Sequence, residues 1–298
     1  MVSISAPRSK PLGRFACVAV ATLCLGSTAL AQLPGLPKQV SAEVERLAPV
    51  FSFDDDSCYP AAAISPAGEL NRGLKIGGSI TGECRDPSQL REANTYSRRV
   101  EARIDGKVFA ATMFCLYFEK DQIAPLAGGH RHDFESVVLW QTDGVLTHAA
   151  FSAHGGFSLV PTDELVLRGG RVAACYHKEW YVTHCMRPAS RSDVESARPW
   201  CTPTLVDWDL MDPRLRGKLA AGDFGKAIVS VAGEYFYELL GRCTPPGYPK
   251  VEIWRSGGKA EGLRQWHRNG GRNRSDLDQW HRDRGERPSR PSDRYRGS

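Results

Sequence analysis

The stretch GGHRHDFESVVLW, from Gly128 to Trp140, places two imidazoles, two carboxylates and a guanidinium directly before an apolar run. The run from Ser136 to Trp140 has the continuous apolar character of a strand that is buried on both faces. The charged residues before it are therefore expected at the end of a rigid element. Such an element holds side chains in the fixed positions that a metal or ligand site requires.

Strand alternation predicts that two of these carboxylates lie together. If pairing begins at Asp133, then Asp133 and Glu135 share one face and Phe134 takes the other. Adjacent carboxylates repel each other unless a cation or a proton lies between them. Together with His130 they offer one nitrogen and several oxygens, which favours calcium, magnesium or manganese over zinc. The same spacing also fits an exposed, salt-bridged strand end with His132 packed in the core.

The segment 1–31 has the pattern of a secretory signal peptide. Basic residues without any acidic residue precede an apolar stretch from Phe15 to Leu30, which leads to small residues suited to cleavage after Ala31. A membrane anchor is the alternative, but the stretch is short for crossing a bilayer. We therefore predict a secreted, extracellular protein.

Cysteine usage agrees with export, because disulfides form in oxidising compartments and most cysteines would be expected to pair there. The predicted mature chain keeps an odd number of cysteines, so at least one is free or linked to another molecule. They are Cys58, Cys84, Cys115, Cys175, Cys185, Cys201 and Cys243. None belongs to a CxxC pair, which argues against a zinc ribbon or a thioredoxin-like redox site.

The C-terminal segment 251–298 differs in composition from the rest of the chain. It carries 12 Lys and Arg against 7 Asp and Glu, a net charge of +5 that equals that of the whole chain. Gly, Arg, Ser, Asp and Pro dominate, which predicts a disordered basic tail. Basic residues mixed with aromatics can bind nucleic acid or anionic membranes, but a solvated extension is the better expectation and no nucleic-acid partner is expected.

The sequence pattern of the remaining segment, 32–250, predicts one mainly β domain. Apolar and aromatic runs, the longest from Val108 to Phe118, alternate with Gly, Pro and Asp turns at the spacing of a β-sandwich. Helix signals come late, after Asp212 and between Gly233 and Arg242. The chain has no Walker loop, GxSxG elbow or HExxH helix.

The heptapeptide GHRHDFE differs at one position from GHRHDWE, the signature of the necrosis- and ethylene-inducing protein family. Further segments similar to family motifs are SCYPAAAISPAGELNRGLK from Ser57, FCLYFEKD from Phe114, AHGGFS from Ala153, YVTHCMR from Tyr181, and LVDWDLM from Leu205 followed by DFGKA. The resemblance covers Val50 to Cys243 in the expected order. It implies a single β-sandwich with flanking helices, similar to sea-anemone pore-forming toxins (actinoporins) and fungal lectins.

The resemblance also implies a membrane-damaging activity without enzymatic turnover. Secreted members are cytolysins of plant-associated microbes that bind glycosyl inositol phosphoceramide sphingolipids of plant plasma membranes and induce necrosis and immune responses. They require a bound divalent cation, expected here to be Ca²⁺ or Mg²⁺. His130, Asp133 and Glu135 match the family's metal-coordinating positions, and Asp121 matches the aspartate that completes the set.

Residues around this set match family positions that contact lipid or support the metal ligands. Trp180 matches a loop tryptophan that touches the membrane, where an exposed indole suits the interface. His184 matches the histidine beside the metal. Arg131 and His132 are expected to support the ligands or to contact the lipid head group.

The resemblance assigns one disulfide and shows one departure in the heptapeptide. Cys58 and Cys84 correspond to the family's common disulfide, while the pairing of the other cysteines stays open. Phe134 stands where tryptophan is usual, which keeps the aromatic volume but removes the indole N–H donor. If that donor orients a metal ligand, its loss lowers the affinity for the cation. The sequence therefore leaves open whether this chain is cytolytic.

Two alternative functions remain. The first is a module of the same fold that binds glycans or glycolipids without lysing membranes. A cupin-type metalloenzyme would use His130, His132 and Glu135 to hold iron or manganese, but the gap from His132 to Glu135 is shorter than cupins usually show.

Overall fold

The computed structural model describes residues 32–125, 127–179 and 182–256, so the predicted signal peptide and Trp180 lie outside the described residues. Six strands form the larger sheet, in which the first two in spatial order are parallel and all other neighbours are antiparallel. In spatial order they are β10 (Thr204–Asp207), β2 (Asn94–Ile104), β3 (Lys107–Ala124), β4 (Ala127–Thr142), β5 (Val145–Ala153) and β6 (Gly156–Pro161).

A smaller, four-stranded sheet packs against one face of the larger one. Its strands are β1 (Val50–Phe53), β7 (Leu167–Arg168), β8 (Arg171–Lys178) and β9 (His184–Pro188). Strand β8 pairs with all three others, parallel to β1 and antiparallel to β7 and β9.

Short helices complete the described part of the chain. They are α1 (Ala42–Leu47), α2 (Gln89–Glu92), α3 (Arg191–Glu195), α4 (Pro213–Ala221), α5 (Gly233–Cys243) and α6 (Val251–Arg255), with a 3-10 helix at Thr162–Glu164. Among the described residues, no helix combines the length and apolar character needed to cross a membrane.

The larger sheet separates two hydrophobic cores, because β3 and β4 are buried on both faces as predicted. Met113 and Trp140 project to the side where α4, α5 and α6 contribute buried residues. Phe114 and Phe118 project to the other side, against residues of β1, β8 and β9. Burial of each such side chain stabilises the fold by about 2–3 kcal/mol. The predicted β-sandwich with flanking helices is confirmed.

The folded part extends beyond the boundary predicted at residue 250. Helix α6 lies in the segment assigned to the tail, and its Trp254 is fully buried with the indole N–H donating to the carbonyl of Pro249 at 2.9 Å. The indole packs edge-on against Trp140 at 6.0 Å between ring centroids. Starting the tail at residue 251 was therefore wrong, since one large apolar side chain outweighs the polar composition around it. Residues 257–298 lie outside the described residues.

The disulfide implied by the resemblance is confirmed, since Cys58 and Cys84 are bonded. The expectation that most other cysteines would pair is wrong. The remaining five are free thiols, and all but one of them are buried: Cys115, Cys175, Cys185, Cys201 and Cys243. Buried free cysteines behave as small apolar side chains, which explains their place in the cores.

Candidate metal centre

The charged residues of the heptapeptide lie inside strand β4, not ahead of it as the sequence predicted. His130 pairs directly with Asp121 of β3. His130 and Asp133 are three residues apart, so an uninterrupted strand would send them to opposite faces. His132, between them, has a positive φ of 62°. This left-handed backbone conformation interrupts the alternation of side chains between the two faces of the strand. The strand therefore does not force the side chains of His130 and Asp133 onto opposite faces.

Two aspartates of the predicted set are held by side chains of the smaller sheet. Asp121 accepts a hydrogen bond from the backbone N–H of His184 at 2.8 Å, and its other oxygen lies 2.7 Å from the His184 imidazole Nδ1. Asp133 accepts a hydrogen bond from the Tyr176 hydroxyl at 3.0 Å. Both carboxylates are buried, with 2% and 6% of their residues' surface exposed. The two sheets therefore enclose both groups and restrict their orientation.

Burial and mutual repulsion make the carboxyl groups of Asp133 and Glu135 hard to ionise. Burial, followed by the charge of Asp121, raises the pKa of Asp133 to about 7, although His130 acts in the opposite direction. Burial, followed by the charge of Asp133, raises the pKa of Glu135 well above its ordinary value, although its carboxylate accepts a hydrogen bond from Ser152. A cation placed between the carboxylates would relieve this penalty.

The donor set fits a hard divalent cation by its chemistry. Asp121, Asp133 and Glu135 supply carboxylate oxygens, the ligands that Ca²⁺ and Mg²⁺ prefer. His130 Nδ1 lies 2.7 Å from the carbonyl oxygen of His132, an arrangement that leaves Nε2 for a cation. The buried Nε2 of His184 has no hydrogen-bond partner, which is a further unsatisfied polar atom beside the set.

The donor atoms of the predicted ligands do not form a compact group. Within the described ranges, three donor atoms within 4.8 Å of one another occur at His154, Glu179 and Cys185, and not at the predicted ligands. Like charges hold carboxylates apart, so a bound ion would draw them together. The ligand set stays a prediction.

The residues expected to support this set have different surroundings. His184 contacts Asp121 directly and stacks on Tyr176 at 5.1 Å. His132 lies on the helix side of the larger sheet, where its Nδ1 is 2.7 Å from the Tyr117 hydroxyl and its ring packs edge-on against Phe224 at 5.2 Å. Burial, followed by nearby Arg131, lowers the pKa of His132 to about 4, so it is neutral at physiological pH.

The positions of His132 and Arg131 bear on the cupin-type alternative and on contact with a lipid head group. His132 is directed toward Tyr117, away from the carboxylates, so the cupin-type set of His130, His132 and Glu135 is not brought together. Arg131 is exposed and contacts the carbonyl of Arg72 at 3.5 Å, which leaves it accessible to a head group.

Phe134, the departure from the family heptapeptide, lies opposite the carboxylates. Its ring packs against Tyr117 and Phe224 at 5.0 and 5.1 Å between centroids. It therefore packs on the helix side of β4 and does not face Asp133 or Glu135.

Two residues at this centre were not predicted from the sequence. Tyr176 of β8 and Ser152 of β5 donate to Asp133 and Glu135, respectively. Neither lies near the heptapeptide in the chain, and only the packing of the two sheets brings them to it.

Comparison with known proteins agrees with the fold and the heptapeptide. A family model described as necrosis inducing protein (NPP1) matches residues 41–243. The chain belongs to this family. It is 30% identical over 200 residues to NLP effector protein 3 of Phytophthora capsici, a match that covers 64% of this chain and 77% of that protein.

Solved structures show the same fold. The structure titled "Toxin fold as basis for microbial attack and plant defense" matches with a TM-score of 0.61 and 28% identity, covering 72% of this chain and 97% of that one. NLPPya in complex with mannosamine matches with a TM-score of 0.60, 28% identity and coverage of 72% and 96%. Non-toxic HaNLP3 matches with a TM-score of 0.60, 26% identity and coverage of 73% and 99%. The fold is therefore shared with a protein described as non-toxic.

Proposed function

We propose that this chain is a secreted cytolysin and virulence effector whose divalent cation recognises sphingolipid head groups of plant plasma membranes. The observation that carries the proposal is the enclosure of Asp121 and Asp133 between the two sheets beside the half-buried Glu135, with the pKa of Asp133 and of Glu135 raised by burial and by neighbouring charge. A Ca²⁺ or Mg²⁺ ion held by these residues would offset most of their negative charge, and it would supply a Lewis-acidic site for hydroxyl and phosphate oxygens of a head group.

This chain's residues have separate parts in the proposed mechanism. Asp121, His130, Asp133 and Glu135 would hold the cation, while the hydrogen bonds from His184 and Tyr176 orient the two aspartates. Exposed Arg131 contributes positive charge to an anionic head group. Accumulation of protein on the bilayer then disrupts it, and no covalent chemistry is required.

A second function, glycan or glycolipid binding without lysis, is favoured by one observation. One neighbour of this fold is described as bound to mannosamine, and another is described as non-toxic. Toxicity therefore does not follow from the fold alone, and a sugar is a ligand that a protein of this fold is described as binding.

Dye leakage from vesicles tests both functions together. The vesicles contain plant glycosyl inositol phosphoceramide or lack it, and each is assayed with Ca²⁺ and with a chelator. Leakage that needs both lipid and cation supports the cytolysin. Cation-dependent binding in co-sedimentation without leakage supports the non-lytic module, and the absence of both overturns the proposal.

A further inference from the structure

A second group of metal-donor side chains lies near the junction of β5, β8 and β9. His154 Nε2 lies 2.9 Å from Glu179 Oε2, and Cys185 Sγ lies 3.9 Å from the same oxygen. His177 Nε2 lies 3.4 Å from Cys185 Sγ. The donor atoms of His154, Glu179 and Cys185 all lie within 4.8 Å of one another.

Strand pairing explains how three of these residues meet. His177 of β8 and Cys185 of β9 are direct partners in the antiparallel ladder, so their side chains leave the same face of the smaller sheet. Glu179 follows His177 by two residues, which returns it to that face. The smaller sheet thus presents an imidazole, a carboxylate and a thiol together.

The fourth residue comes from a turn of the larger sheet. His154 and Gly155 connect β5 to β6 with φ values of 47° and 80°, the two positive values of a type I′ hairpin turn. The comparable turns Asp105-Gly106 and Asp143-Gly144 have aspartate first, as this turn type favours. Histidine is also compatible with this left-handed position, and here its imidazole additionally meets the carboxylate of Glu179.

We propose that His154, His177, Glu179 and Cys185 form a second metal site, which binds a borderline transition-metal ion of the zinc class. Two imidazole nitrogens, one carboxylate oxygen and one thiolate make four donors. Tetrahedral zinc, with Zn–N of about 2.0 Å and Zn–S of about 2.3 Å, places ligand atoms roughly 3.3–3.7 Å apart. The separations between His154 and Glu179, His177 and Cys185, and Glu179 and Cys185 run from 2.9 to 3.9 Å and surround this range. His177 contacts Cys185 but lies outside the group of three whose donor atoms are all within 4.8 Å of one another, so a bound ion would draw its ring closer to them.

The sulfur donor distinguishes this site from the carboxylate centre. Thiolate and imidazole select zinc-like ions, whereas carboxylate-rich sets select calcium or magnesium. Cys185 is only 2% exposed, so its sulfur is shielded from bulk solvent. On binding, the thiol proton passes to solvent and the sulfur bonds the metal as thiolate. A bound ion would link the β5–β6 turn to the residues that follow β8. Val182, one of these residues, is exposed.

Cobalt and zinc titrations of the metal-free protein, with the Cys58–Cys84 disulfide intact, test this site independently of membrane activity. Co²⁺ reports a thiolate ligand through its sulfur-to-metal charge-transfer absorption, and Zn²⁺ affinity is measured by competition with a chromophoric chelator. We expect one equivalent of Co²⁺ to produce the band and one equivalent of Zn²⁺ to displace it. Cys185→Ser should abolish the band and weaken Zn²⁺ binding about a hundredfold.

Two further variants keep the test decisive if Cys185→Ser does not fold. His154→Asn retains a residue suited to the left-handed turn and should weaken Zn²⁺ binding at least tenfold. Cys201→Ser removes a different free thiol and should leave the band unchanged. A band that survives Cys185→Ser, or Zn²⁺ affinity unaffected by His154→Asn, overturns the site. Asp133→Asn should retain the band, which separates this site from the carboxylate centre.

Discussion

The Asp121 carboxylate is held at both of its oxygens by His184, through the backbone N–H at 2.8 Å and the imidazole Nδ1 at 2.7 Å. Asp121 belongs to the larger sheet and His184 to the smaller one. The contact therefore joins the sheets at the predicted metal ligand. It fixes that carboxylate before any cation binds, which lowers the cost of assembling the site.

Replacing His184 should weaken cation binding without removing a proposed ligand. His184→Ala keeps the backbone N–H contact but frees one oxygen of Asp121, so we expect Ca²⁺ affinity to fall about 10- to 100-fold by isothermal titration calorimetry. His148→Ala, a partly buried histidine of β5, is the matched control and should bind as the wild type does. Equal affinity in His184→Ala would show that this contact has no orienting role.

Asp133→Asn should abolish vesicle leakage while preserving the fold. The amide has nearly the same shape, keeps an acceptor for Tyr176 and removes the charge that a cation needs. Asp163→Asn, at an exposed position of the 3-10 helix, is the control for loss of one carboxylate. Cation-dependent leakage by Asp133→Asn at the wild-type level would exclude Asp133 as an essential ligand.

The raised pKa of Asp133 predicts a pH-dependent stability of the metal-free protein. In the unfolded chain the Asp133 carboxyl has its ordinary pKa of 3.8, whereas in the folded protein its pKa is raised to about 7. The folded state binds more protons between these values, so its contribution to stability falls as pH rises through that window. Thermal unfolding in chelator should show this decline, and Asp133→Asn should reduce it. A parallel decline in the variant would place its origin elsewhere.

Removing the disulfide should destabilise the protein by roughly 3.5 kcal/mol. Cys58 and Cys84 are 26 residues apart, and this value is the loop-closure entropy that the cross-link removes from the unfolded chain. Urea unfolding of the Cys58→Ser, Cys84→Ser double variant measures it. Wild-type protein under reducing conditions should lose a similar amount, and no loss in either case would contradict the entropic account.

Truncations locate the end of the folded part. Ending the chain after Lys250 removes the buried Trp254, and Trp254→Ala alone should cost about 3–5 kcal/mol. Ending it after Ser256 keeps α6 and should leave the unfolding midpoint close to that of the full chain. If the two truncated proteins unfold at the same midpoint, the packing of Trp254 contributes little.

Local patterns in the sequence were sufficient for the general architecture. The apolar run that ends at Trp140 predicted a strand buried on both faces, because residues on both sides of such a strand must be apolar. The strand and turn spacing predicted the sandwich. The heptapeptide and the other segments that resemble the family predicted the family, the disulfide and the candidate ligands. The predicted start of the tail was wrong because composition averages over a segment and does not register a single buried residue such as Trp254.

The sequence by itself determined which residues carry charge near β4 and which runs become strands, since these depend on side-chain chemistry and short-range periodicity. Only the tertiary structure decided how they meet. The left-handed backbone of His132 breaks an alternation that the sequence pattern assumes, and Tyr176 and Ser152 reach the carboxylates from distant strands. The meeting of His154 with Cys185 likewise depends on how two sheets pack, a long-range relation that no local pattern encodes.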